Sequence, residues 1–188
     1  VHWSAMSWHI ISRSLIVIGS LLGLYGFLTL ILPAGFFTSL GYSSLHSLYD
    51  PSGSLAAFQY IESGGTPRLQ STFSGPNQFG IWLIIPFILF LVQKLTSENA
   101  RKFSLNEVCI FVVLLLASFF TFSRSAWIGL IFSSIIVVLS VKTLSIKMRR
   151  MLAIGGVLLA TVVVLIMTSI IPNTLLRSHS TQNHFDRP

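Results

Sequence analysis

The chain has 188 residues, 53% of them hydrophobic and only 9% charged, with 12 Lys and Arg against 5 Asp and Glu. Soluble domains carry roughly 25% charged residues, so a disordered chain and a soluble enzyme are excluded, and a single cysteine excludes a disulfide scaffold. At roughly 20 apolar residues per transmembrane helix, the length leaves room for about five spans.

In chain order, the first span is predicted over 14–32 and closes at Pro33. Within it Gly19 and Gly23 form G-x-x-x-G, with Gly26 following, a pattern for close helix packing. The connection 34–78 places Phe37, Leu40, Leu45, Leu48 and Tyr49 near helical spacing. That predicts an interfacial helix on a membrane surface, continued after Asp50-Pro51 by Leu55, Phe58 and Ile61. The stretch from Pro67 to Phe79, PRLQSTFSGPNQF, enters the second span. Gly75 and Pro76 set a turn there, and Asn77 and Gln78 bring two amides to the boundary. Two readings stay open: a polar loop capping a helix, or, with Arg68, a sugar or phosphate subsite. The second span, over 79–93, is short unless the Gln78 side adds a turn.

From Phe103 to Val141 there are 39 residues with two charges, Glu107 and Arg124. One helix of that length overshoots a roughly 30 Å hydrocarbon core about twofold. Two spans, 104–122 and 126–141, folded back at Thr121–Ser125, fit instead. Ser104 and Glu107 have the spacing of a capping box at the start of the first. Cys109 falls inside that span, where packing is its expected role. The fifth span, over 151–171, is closed by Pro172 and followed by a polar tail, 173–188.

Lys and Arg set the orientation. Lys94, Arg101 and Lys102 lie in one connection and Lys142, Lys147, Arg149 and Arg150 in another on the same side, which is therefore cytoplasmic. Arg13 and the N-terminus join them, leaving the loop 34–78, the turn at Arg124 and the tail outside. The expected architecture is an all-α polytopic membrane protein, one membrane domain over 1–188, N-in and C-out, with an outer interfacial helical loop. Eight of the twelve cations are explained by this placement, and no basic patch with interleaved aromatics points to nucleic acid.

The four outer cations, Arg68, Arg124, Arg177 and Arg187, are all arginine. A guanidinium fork suits a phosphate or diphosphate, which it holds bidentately. Arg124 is either an anchor reaching lipid headgroups or a cation meeting a lipid phosphate, with Ser123 and Ser125 orienting it. In the tail, His179 and His184 are five apart and lack a third ligand, so neither a metal site nor a cofactor is expected. A tail histidine is either a general base or part of a solvated loop. The chain has no phosphate-cradling glycine loop, acidic pair or nucleophile elbow.

The segment PRLQSTFSGPNQFG followed by TFSRSAWIGL resembles the O-antigen ligase and polymerase family of bacterial envelope glycan enzymes. Arg68, Thr72, Phe73, Pro76 and Asn77 match an R-x-x-G-T-F-x-x-P-N-like segment, with Ser71 where glycine is common. Ser123, Arg124 and Gly129 match an S-R-x-x-x-x-G turn between two later spans, and STQNHFDRP resembles the start of a large periplasmic loop. The resemblance covers about 68–188. It implies a multi-pass, metal-independent glycosyltransferase of the bacterial cytoplasmic membrane, acting on its outer face. The donor is a polyprenyl-diphosphate-linked glycan, and the acceptor is lipid A core or another glycan. By the same resemblance Arg68, Arg124 and Arg187 contact the diphosphate; Asn77, Gln78, Ser123 and Arg177, read from their outer positions, are the expected substrate-binding residues. The acceptor base is a histidine further along the large loop, for which His184 is a weak substitute. The family has more spans than the five counted here, so the chain is expected to be a fragment, inactive alone. The alternatives are a transporter or flippase of lipid-linked saccharide, for which Pro86 is the one interior helix-break candidate, and a non-catalytic membrane scaffold.

Overall fold

A computed structural model describes residues 5–43, 56–60, 66–97 and 103–141, together with positions 151, 154–156 and 161. The described elements are α1 (Ala5–Ile31), α2 (Ala34–Ser39), β1 (Gln59–Tyr60), β2 (Pro67–Arg68), α3 (Pro76–Thr96), α4 (Leu105–Phe120) and α5 (Arg124–Ser140). Four long helices thus lie over the first four apolar segments of the sequence. The fifth span falls mostly outside the described residues.

The helix ends follow local chemistry. Proline preorganises the first turn of a helix and lacks the N–H that would otherwise go unpaired there. Accordingly α3 begins at Pro76, with Asn77 and Gln78 inside its first turn, and the extra turns bring it to 21 residues. Helix α4 opens with the predicted capping box: the Ser104 hydroxyl accepts from the Glu107 amide, and the Glu107 carboxylate accepts from the Ser104 amide. Helices α4 and α5 break apart at 121–123, as expected, and the Ser123 hydroxyl caps α5 by accepting from the Ala126 amide.

Helix α3 is the hub, packed against α1, α4 and α5, whereas α4 and α5 barely touch beyond their shared turn. Its buried stripe, Phe79, Leu83, Phe87 and Phe90, recurs every three or four residues and meets Ile16 of α1, Leu114 and Ala117 of α4, and Leu130 of α5. The glycines of α1 allow this approach. A Cβ at Gly19 would stand 2.7 Å from Pro86, and one at Gly23 would stand 3.0 Å from Val113 and 3.2 Å from Ala117. Pro86 is buried in that contact, and α3 continues through it without a break.

The helices are apolar outside as well as inside. Val17, Leu21, Leu24 and Leu28 of α1 and Ile128, Phe132, Ile136 and Leu139 of α5 form exposed stripes. Helices apolar all round belong to a membrane or to the interior of a larger body. Two of them, Ser7–Ile31 and Pro76–Thr96, are long and apolar enough to cross a membrane.

Two expectations are corrected. The connection after α1 is not helical throughout: α2 has six residues, and β1 and β2 pair as a short antiparallel hairpin, Gln59 with Arg68 and Tyr60 with Pro67. Phe58 enters that hairpin, buried with Ala57 against Phe37, because its helical spacing coincided with a segment whose apolar residues fold onto α2. Leu45, Leu48, Tyr49, Leu55 and Ile61 lie outside the described residues. Cys109, expected in packing, is exposed, since α4 turns its opposite face to α1 and α3.

Candidate functional site

The two segments that carry the family resemblance meet at the end of the bundle where α3 begins. Residues 69–71 fasten the approach, each to a different element. The Leu69 amide donates to the Phe120 carbonyl at 2.9 Å, and its side chain fills the space left by Gly26, whose Cβ would stand 2.5 Å from it. Gln70 Nε2 donates to the Ala56 carbonyl, tying the loop to the segment that leads into the hairpin. The Ser71 hydroxyl donates to the Leu22 carbonyl of α1 at 2.7 Å. Beyond them Phe73 lies against Phe79 and Trp82.

Arg68 completes the junction across a gap of more than fifty residues. Its Nε donates to the Thr121 carbonyl at 3.0 Å. Its Nη2 donates to the Phe122 carbonyl at 3.3 Å and to Asn77 Oδ1 at 2.8 Å. One guanidinium therefore grips the hairpin, the first turn of α3 and the α4–α5 turn together.

The turn it grips is unusual in its backbone. Among the described residues only Ser71, at φ 56°, and Phe122, at φ 48°, are non-glycine residues in the left-handed region. Each costs roughly 1–2 kcal/mol relative to an ordinary conformation, so each needs surrounding bonds to persist. Ser71 has its hydroxyl bond to α1. Phe122 has the Arg68 contacts on its own and the preceding carbonyl. Ser71 also occupies the position where the resemblance has glycine, the residue that takes this conformation without penalty.

Thr121 anchors the turn from below. It is fully buried, its hydroxyl donates to the Ser118 carbonyl at 2.7 Å and accepts from the Ser123 amide at 3.3 Å. Trp127 Nε1 donates to the same Ser118 carbonyl at 2.9 Å, and its ring stacks on Phe119. Helix α3 presses on this turn through Gly80, where a Cβ would stand 2.8 Å from Ala126 Cβ and 2.9 Å from Thr121 Oγ1. Any larger residue there would push the two segments apart.

Each predicted site residue now has a place. Arg124 is the first residue of α5 and is exposed, where a helix N-terminus adds favourable potential for an anion. Ser123 is 1% exposed and its hydroxyl serves the α5 cap and Ser125. Asn77 accepts from Arg68, and Gln78 Oε1 accepts from the Ser74 hydroxyl; both are exposed on the first turn of α3. Arg177, His184 and Arg187 lie outside the described residues. Sequence reasoning missed Thr121 and Gly80. Gly80 had a signal, as the glycine that directly follows the polar segment. Thr121 had none, because its main-chain oxygen is what Arg68 uses.

A second polar cluster lies at the other end of α3. Lys94 continues the stripe of Phe79, Leu83, Phe87 and Phe90, and its side chain is 4% exposed. Its ammonium pairs with Glu107 at 2.9 Å and sits 4.5 Å above the Phe103 ring. Gln93 Nε2 donates to the Ser12 hydroxyl at 2.6 Å, linking α3 to α1. Among the described residues no cluster of His, Cys, Asp and Glu has the makings of a metal site.

No protein-family profile, curated protein or solved structure matches the chain.

Proposed function

We propose that the chain belongs to a multi-pass membrane glycosyltransferase that transfers or polymerises a polyprenyl-diphosphate-linked glycan on the outer face of a bacterial cytoplasmic membrane. The observation that carries this reading is the meeting of the PRLQSTFSGPN segment with the TFSRS turn, joined by Arg68 and presenting Arg124 at the start of α5. Two segments more than forty residues apart, picked out by one resemblance, form one corner of the fold. In this reading the protein has five spans over the chain, N-in and C-out, and the corner faces outward.

The chemistry is consistent with that placement. When the glycan leaves its carrier, negative charge develops on a lipid diphosphate, and a fixed cation beside a helix N-terminus stabilises it. The acceptor is lipid A core or another glycan, its hydroxyl activated by a histidine on the outer side. His184, the weak substitute that the resemblance offers, lies in the tail with Arg177 and Arg187. The unbroken course of α3 through Pro86 favours an enzyme over a lipid-linked saccharide transporter, whose sites are typically built from discontinuous helices.

The test is glycan transfer from a polyprenyl-diphosphate donor by the protein expressed from its complete gene. Both Arg124→Ala and Arg124→Lys are expected to lose at least about 100-fold in rate. Full activity in both removes the mechanism. Movement of donor across vesicles without new glycosidic bonds replaces it with transport.

A further inference from the structure

We infer that Arg68 is a positioning residue: its guanidinium holds the 121–123 turn by the Thr121 and Phe122 carbonyls, and so aims Arg124, which is the residue that meets the diphosphate. This rests on the proposed function and divides labour between two arginines that the family resemblance treats alike.

The geometry separates them. The donors of Arg68 reach inward to oxygens of the protein: Nε to Thr121, and Nη2 to Phe122 and to Asn77. The acceptors of these three bonds are two main-chain carbonyls and an amide, none of which needs a full positive charge to accept a bond. One of the carbonyls belongs to Phe122, held at φ 48°. Two residues later comes Arg124, on the first turn of α5 and exposed. Loosening the Arg68 grip frees Phe122 to leave the left-handed region, which reorients the Ser123 cap and with it the start of α5.

A shape role and a charge role respond differently to citrulline, which keeps the Nε–H and one terminal NH2 of arginine but replaces the other nitrogen with oxygen and carries no charge. At position 68 it retains both nitrogens that make the observed bonds. At position 124 it removes the cation. The probe is undecaprenyl diphosphate in nanodiscs of neutral lipid, with undecaprenol as the control. Citrulline at 124 is expected to weaken binding at least about tenfold, the loss of a charge-assisted contact. Citrulline at 68 is expected to change binding by less than about threefold, whereas Arg68→Lys, which keeps charge but not the fork, weakens it more.

Hydrogen exchange of the peptide spanning residues 119–127 supplies a readout independent of any ligand. It is expected to accelerate in Arg68→Lys and Arg68→Ala, and to stay at the wild-type rate with citrulline at 68 and in Arg124→Ala. Equal loss of binding with citrulline at either position overturns the division of labour. Unchanged exchange in both Arg68→Lys and Arg68→Ala overturns it too. A wild-type protein that does not distinguish undecaprenyl diphosphate from undecaprenol overturns the functional reading itself, and the exchange data then decide the structural role of Arg68 alone.

Discussion

The two ends of α3 are both fastened by one long cation, and they are fastened in different ways. Where α3 ends, Lys94 is buried and pairs with a carboxylate, Glu107. Where α3 begins, Arg68 is half-buried and reaches carbonyl and amide oxygens. The first arrangement neutralises a charge that lies on the core stripe. The second shapes a turn. A buried cation needs a counter-charge because its desolvation is otherwise uncompensated; the bonds of the Arg68 fork to carbonyl oxygens fix the direction of a turn. One end closes the bundle around a buried charge, and in the proposed reading the other shapes the site.

The largest stability effect is expected at the Lys94 end. Glu107→Gln preserves the capping box, since glutamine serves there as well, but leaves Lys94 buried without its carboxylate. The melting temperature in detergent is expected to fall by several degrees. Lys94→Met costs less, because Glu107 retains its bonds to Ser104 and access to the surroundings. The double variant Lys94→Met/Glu107→Gln is expected to melt above Glu107→Gln alone. Additive losses would show that the pair does not close this end.

At the other end the expected costs arise from shape. Gly80→Val drives a side chain into Ala126 and Thr121 and is expected to cost about 1–3 kcal/mol, read as a lower melting temperature and faster exchange at 119–127. Trp127→Phe removes the bond to Ser118 while keeping much of the stacking on Phe119, a loss of about 1 kcal/mol. Smallest is Ser71→Gly, in which relief of the left-handed conformation offsets the lost bond to Leu22, for a net change within about 1 kcal/mol. A loss at Ser71→Gly larger than that of Gly80→Val would invert the account of this corner.

The same contrast explains what the sequence revealed. Helices α1, α3, α4 and α5 were legible from apolar runs, and their ends from Pro33, Pro76, the Ser104–Glu107 box and the 121–125 turn. The close approach of α1 was legible in Gly19, Gly23 and Gly26. The Lys94 pair was legible in principle, because Lys94 falls in register with Phe79, Leu83, Phe87 and Phe90, and a cation on a core stripe demands a partner. The positive-inside pattern accounts for Lys94 as a topology charge and gives no sign of that partner. The Arg68 junction was half legible: the resemblance marked both segments, but the bonds joining them end on main-chain carbonyls, which leave no trace in side-chain identity. The hairpin at 59–60 and 67–68 was hidden for a related reason. Two-residue strands carry too little alternation to compete with the helical spacing of Phe58 and its neighbours.

Whether the joined corner presents Arg124 to a lipid diphosphate, as proposed, is tested by binding. Undecaprenyl diphosphate and undecaprenyl monophosphate are titrated against the wild-type protein and Arg124→Lys in neutral-lipid nanodiscs. The account predicts tighter binding of the diphosphate by the wild type, and a preference that collapses in Arg124→Lys because a point charge cannot replace the fork. Equal affinity of both proteins for the diphosphate would contradict it.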